Sequence, residues 1–177
     1  PELLLELGTE ELPASFVRQA YTDLRDGLEA VLKEAGVLQG SGIALGTPRR
    51  LIVSFPDLLD RQADAQKEQR GPALGAAYDA EGNPTKALLG FCRSQGVEPA
   101  DLRRDDQYVW VTKTILGRPT AEILAQASPK AIRGLTFEKS LRWGGSRMRF
   151  ARPIRWILAA LGGEAVSFEI GGVASSL

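Results

Sequence analysis

Near the start of the chain, apolar residues recur at helical spacing: Phe16, Val17, Ala20, Tyr21, Leu24, Leu28, Val31, Leu32 and Ala35. Residues repeating every 3.6 positions form one stripe along a helix, and that stripe demands a partner face to bury it. Pro13 stands at the helix entry, where a missing amide hydrogen costs nothing, and Gly36 supplies the stop. Just upstream, Leu3, Leu5 and Leu7 alternate with Leu4 and Glu6, the period of a strand buried on one face. The six residues Gly8-Thr9-Glu10-Glu11-Leu12-Pro13 join the two elements. A strand and a helix so closely linked, each with one apolar side, are expected to pack on each other. Glu10 and Glu11 fall where the helix dipole favours anions, and that is their simplest role.

Two more strands follow, Ile43-Ala44-Leu45 and Leu51 to Phe55, around the turn residues Gly46-Thr47-Pro48-Arg49. The opening is therefore strand, helix, strand, strand, a split β-α-β start. Asp57 to Arg70 is polar and charge-mixed, suiting either an edge strand or a loop, and Gly71-Pro72 is expected to end it. A turn cluster, Asp79 to Pro84, leads to a short helix through Ala87, Leu88, Phe91 and Cys92 that stops at Gly96. Tyr108 to Ile115 is rich in β-branched and aromatic residues, hence a strand. Pro119 opens a further helix carrying Ile123, Leu124 and Ala127, with Pro129 breaking or restarting it. Ile154 to Leu161 fits helix or strand by spacing. Gly162-Gly163 followed by Val166, Phe168 and Ile170 favours a hairpin. The fold class is α+β, mainly antiparallel sheet with packed helices.

A length of 177 residues suits one domain over 1–177, or two small subdomains, 1–57 and 58–177, sharing a core. No apolar run is long enough to span a bilayer, so no membrane partner is expected, and a cytoplasmic setting fits. Cys92, the single cysteine, excludes an internal disulfide or a cysteine metal cluster, and its apolar neighbours make it core filler. The chain has no histidine. Serine–histidine and cysteine–histidine catalysis and histidine-ligated zinc are therefore excluded from these residues. No catalytic residue and no metal ligand is assigned, and no cofactor is expected here.

Charge separates one segment from the rest. Residues 130–156 hold eight basic side chains against one acid, Glu138, a local charge of +7 in a chain with 22 basic and 22 acidic residues. These cations interleave with Trp143, Phe150 and Trp156. Guanidinium forks hold phosphate oxygens and aromatic rings stack on unpaired bases, so the segment suits nucleic acid. The alternative is that the arginine stems only coat an aromatic strand pair. Candidate contacts are Arg142, Trp143, Arg147, Arg149, Arg152 and Arg155, with Arg49 and Arg50 extending the surface. Trp143, between Arg142 and Gly144-Gly145, is the better stacking candidate. Trp156 lies in an apolar run and is expected in the core. Strand alternation would put Arg147 and Arg149 on one face, with Arg152 and Arg155 beyond a bend at Pro153. Some of these arginines are open to a different role, as ion-pair partners for the acidic remainder.

Five strings carry a family resemblance: Leu5-Glu6-Leu7-Gly8-Thr9-Glu10-Glu11-Leu12-Pro13, Thr47-Pro48-Arg49-Arg50-Leu51, Arg70-Gly71-Pro72, the run from Tyr78-Asp79 to Gly90-Phe91, and Arg149 to Trp156. In this order they resemble the N-terminal region of the β subunit of bacterial heterotetrameric glycyl-tRNA synthetases, over the whole of 1–177. The resemblance implies a longer subunit in an α2β2 enzyme, a glycine–tRNA ligase. Its α subunit would carry the class II site using ATP and magnesium, and the β subunit would bind tRNA(Gly). It also implies a fold similar to the B3/B4 module of phenylalanyl-tRNA synthetase. The expected Gly-His-Arg-Phe string and the HD-like and anticodon-binding regions would lie beyond Leu177. Pro1 and Ser175-Ser176-Leu177 accordingly look like cut ends.

Three functions compete. The first is a non-catalytic tRNA-contacting and assembly module. The second is an editing-like hydrolase using Glu6, Glu10 or Glu11. The third is a purely structural subunit interface.

Overall fold

In a computed structural model, the structure describes residues 1–142 and 148–177. The elements in chain order are β1 (Leu3–Thr9), α1 (Ala14–Glu34), β2 (Ile43–Thr47), β3 (Arg50–Phe55), β4 (Ala65–Ala73), α2 (Leu74–Ala77), α3 (Lys86–Gln95), β5 (Arg103–Arg104) and β6 (Tyr108–Ile115). They continue with α4 (Thr120–Gly134), β7 (Leu141–Arg142), β8 (Arg149–Phe150), β9 (Ile154–Leu161), β10 (Glu164–Ala165), β11 (Glu169–Ile170) and β12 (Val173–Ser176). The fold is α+β with mostly antiparallel sheet; the parallel pairing is β12 with β9.

Two compact units emerge: Pro1–Gln62 with Arg118–Leu177, and Ala63–Gly117. This partition differs from a division at residue 57, because β1 draws its neighbours from both ends of the chain. It lies between β3 and β9, and the sheet runs β11-β12-β9-β1-β3-β2 with β10 beside β9. The first unit thus closes around its own core, and the second has a separate one.

In the first unit, α1 buries Val17, Ala20, Leu24, Leu28 and Leu32 in one core with Leu3, Leu5, Leu7, Leu51, Val53, Phe55, Ile157 and Ala159 of the sheet. Phe16 and Tyr21, on the same stripe, are half-buried at its margin. The helix ends as its glycine suggests, Gly36 taking a left-handed φ of 69°. α4 packs beside α1, with Ala131 close to Gly27. It runs unbroken through Pro129, which removes one ladder hydrogen bond without ending the helix. β9 and β10 form the hairpin expected around Gly162-Gly163.

The sheet's other face carries Leu4, Glu6 and Gly8 of β1 between Arg50, Ile52 and Ser54 of β3 and Trp156, Leu158 and Ala160 of β9. Leu4, Ile43 and Leu45 are exposed there, so part of this face is apolar and open.

In the second unit, β4-β6-β5 form an antiparallel sheet. Its core comprises Ala77, Leu88, Cys92, Leu102, Val109 and Val111. Of the polar stretch Asp57–Arg70, the part from Ala65 onward is an edge strand, and Gly71-Pro72 does not end it. The pairing slips between Arg70 and Ala73, and the strand continues. A side chain at Gly71 would begin 2.8 Å from both Phe91 and Val109, so only glycine fits this packing. Cys92 is buried, and loss of water around it raises its thiol pKa, with Glu98 and Asp101 adding to the effect.

Candidate nucleic-acid interface

The loop Thr9–Pro13 is held from both sides. On one side, the Thr9 amide donates to the Arg49 carbonyl at 3.0 Å and the Leu12 amide to the Pro48 carbonyl at 2.7 Å. On the other, the Glu10 amide donates to the Pro153 carbonyl at 3.0 Å. Backbone bonds of this kind replace a ladder where the strand has ended. Three stretches distant in sequence, Gly8–Pro13, Thr47–Arg50 and Arg152–Trp156, thereby share one surface.

Arg49, Arg50, Arg152 and Arg155 come together on it. Arg155 Nη1 lies 3.5 Å from Glu10, Arg49 Nη2 3.7 Å from Glu11 and Arg50 Nε 3.7 Å from Glu6. Arg152 donates to the neighbouring Ala151 carbonyl and lines a shallow cleft with Glu10, Glu11 and Pro48. Glu10 and Glu11 are thus ion-pair partners rather than helix-dipole residues, because α1 begins at Ala14 and its first turn holds no acid. The Arg49–Glu11 and Arg155–Glu10 pairs are long and exposed and contribute little each, about 0–1 kcal/mol. An incoming phosphate or hydroxyl can displace them.

Trp156 is not in the core. The register slips between Gly8 and Thr9: Gly8 pairs with Trp156 but Thr9 with Ile154, leaving Arg155 as the extra residue of a bulge. Arg155 and Trp156 both emerge to solvent, and Trp156 is 41% exposed. Its ring lies over Gly8: a Cβ there would fall 1.9–2.3 Å from three indole ring atoms. Its Nε1 donates to Glu6 Oε1 at 3.1 Å, and the Arg50 guanidinium is 5.8 Å from the ring centroid. The sequence signal that could have revealed this is Gly8 itself, a residue without a side chain in an otherwise leucine-rich strand.

Arg142 and Arg149 occupy a second place. They stand directly opposite each other on β7 and β8. Directly opposed residues of an antiparallel pair share a face, with Cβ atoms about 5 Å apart. Both are exposed, and neither makes an ion pair among the described residues. Next to Arg149, Phe150 is fully buried and meets Phe137 edge-on at 4.8 Å, anchoring β8 to the core. Trp143 and Arg147 lie outside the described residues.

The family model described as glycyl-tRNA synthetase beta subunit matches residues 3–177. The chain belongs to the glycyl-tRNA synthetase beta subunit family. Relatives named glycine–tRNA ligase beta subunit include that of Desulforamulus reducens, 47% identical over 99% of this chain and 26% of the relative. The Syntrophus aciditrophicus protein is 42% identical over 98% of the chain, again 26% of its own length. That of Desulfitobacterium hafniense is 44% identical over 98% of the chain. The chain therefore spans about a quarter of the length of these curated relatives. In this beta-subunit segment, no helix among the described residues is long and apolar enough to cross a membrane.

Proposed function

We propose that this domain is a tRNA-contacting and assembly module of a glycine–tRNA ligase, without a catalytic residue of its own. It supports ATP-dependent attachment of glycine to tRNA(Gly) in a cytoplasmic α2β2 enzyme. ATP and magnesium are used by the α subunit. Membership of the beta-subunit family supports the setting, and the arginines support the tRNA role. The observation that carries it is the Arg142–Arg149 pair. Like charges directly opposite destabilise a strand pair, and a bound phosphate would remove that repulsion. The open apolar patch of Leu4, Ile43 and Leu45 supports the assembly role, since patches of this kind mark association surfaces.

The test is an Arg142→Ala/Arg149→Ala double variant in the assembled enzyme. Affinity for tRNA should fall, and the log–log salt slope should flatten by roughly one unit or less for each phosphate-binding arginine removed. The melting temperature should hold or rise, because a repulsion is removed. Unchanged tRNA affinity and slope would make the pair structural and sink the proposal.

A further inference from the structure

Trp156 has the geometry of a stacking platform. One face of its indole is seated on Gly8, which offers no side chain to tilt it. Glu6 fixes its rotation through the ring nitrogen at 3.1 Å. With 41% of the residue still exposed, the ring is presented to solvent rather than packed away. A ring already held in place loses little freedom when something stacks on it. Beside it opens a cleft of about 630 Å³ lined by Thr9, Glu10, Glu11, Arg49, Arg155 and Trp156. That is within the range of small-ligand sites, roughly 300–1,000 Å³.

The lining supplies three kinds of interaction. Trp156 offers a flat apolar face. Arg49 and Arg155 are cations on loose pairs of 3.7 and 3.5 Å. Glu10 and Glu11 are acceptors for hydroxyl or amino hydrogens. An unpaired ribonucleotide has the matching set: a base, a phosphate and a 2′-hydroxyl. A protein partner matches less well, because the centres of protein interfaces are depleted of acidic residues and Glu6, Glu10 and Glu11 stand around this ring. We infer that the Trp156 cleft binds an unpaired ribonucleotide, its base stacked on the indole and its phosphate on Arg49 and Arg155. This rests on the tRNA-contacting role and names the part of the RNA that this surface takes.

The probe is a fluorescein-labelled single-stranded heptaribonucleotide, followed by anisotropy and by quenching of tryptophan fluorescence. Trp156→Ala should weaken binding by about tenfold or more and remove most of the quenching, with Trp156→Phe partly restoring affinity. Trp156 is exposed, so both variants should fold. Gly8→Ala, checked by circular dichroism, should weaken binding as Trp156→Ala does, because the new methyl unseats the ring. A deoxyribonucleotide of the same sequence should bind more weakly.

Equal affinity of wild type and Trp156→Ala for the heptamer overturns the inference, as does absence of heptamer binding by the wild type. Either result leaves the Arg142–Arg149 test of tRNA binding untouched, so the two failures are distinguishable. Should Trp156→Ala leave RNA binding intact but release the α subunit, Trp156 is a protein-interface anchor and the inference is wrong.

Discussion

Trp156 in the first unit and Trp110 in the second sit in similar company and have opposite fates. Each lies on an antiparallel strand near arginines, and each donates its ring nitrogen to a carboxylate. Trp110 faces Arg70 across one strand boundary and Arg103 across the other. The Arg103 guanidinium lies 5.7 Å from its centroid, and Asp105 accepts from Nε1 at 2.6 Å. Arg70 turns onto Tyr108 at 4.7 Å, and Arg103 pairs with Glu68 at 3.1 Å. These partners satisfy one another and leave Trp110 half-buried. Trp156 has Gly8 directly opposite where Trp110 has an arginine, so its ring falls onto the backbone; Arg50, one strand further on, approaches to 5.8 Å and the residue still keeps 41% of its surface exposed. Arginine and tryptophan together do not make a binding surface; the residue across the strand decides whether the ring is covered.

Each sheet is held by its own core. Leu28, fully buried on α1, tests this most heavily. Leu28→Ala should lower stability by about 2–5 kcal/mol in urea titration. A loss under about half a kcal/mol would show that the stripe was assigned to the wrong face.

Trp110→Ala should behave as a structural change. The cation–π interaction and the bond to Asp105 together suggest a loss of about 1–2 kcal/mol, with affinity for the single-stranded heptamer unchanged. If Trp110→Ala instead weakened the heptamer as Trp156→Ala should, the second sheet would also be a platform and the contrast would collapse.

The smallest effect concerns Asp105. The Gln107 and Tyr108 amides and the Trp110 ring nitrogen hold its pKa below the ordinary 3.8. A depressed folded pKa stabilises the protein fully above the unfolded value and fades as pH falls through the folded one. Asp105→Asn should therefore be less stable than wild type near neutral pH, with the gap closing in strong acid. The carboxylate is exposed and screened, so the gap should be small. A gap that widened on acidification would reverse the sign and refute this role.

Much of the architecture was legible along the chain. The 3.6-residue stripe of α1, the alternation of β1 and the Gly162-Gly163 hairpin depend on local periodicity and turn chemistry, which neighbouring residues express directly. The Asp57–Arg70 stretch was not legible, because an edge strand needs little apolar burial and reads like a loop. Pro129 misled for a related reason: burial of Ile123, Leu124, Ala127 and Ile132 along α4 offsets one missing backbone bond.

The candidate site divides in the same way. Composition alone identified Arg142, Arg147, Arg149, Arg152 and Arg155 as part of an excess of charge, since charge is additive along a chain, and Arg49 and Arg50 were added as an extension of that surface. Which of them meet was decided by pairing between residues far apart: Glu6 with Arg50, Glu10 with Arg155, Glu11 with Arg49, and Arg142 opposite Arg149. The place of Trp156 also depended on tertiary structure. Its apolar neighbours predicted burial, but alternation with the buried Ile157 and Ala159 puts the ring on the open face over Gly8, while the one-residue bulge at Arg155 returns Ile154 to the core. In a sheet with a two-residue period, a single slip of register reverses inside and outside, and only the pairing with the neighbouring strand sets that register.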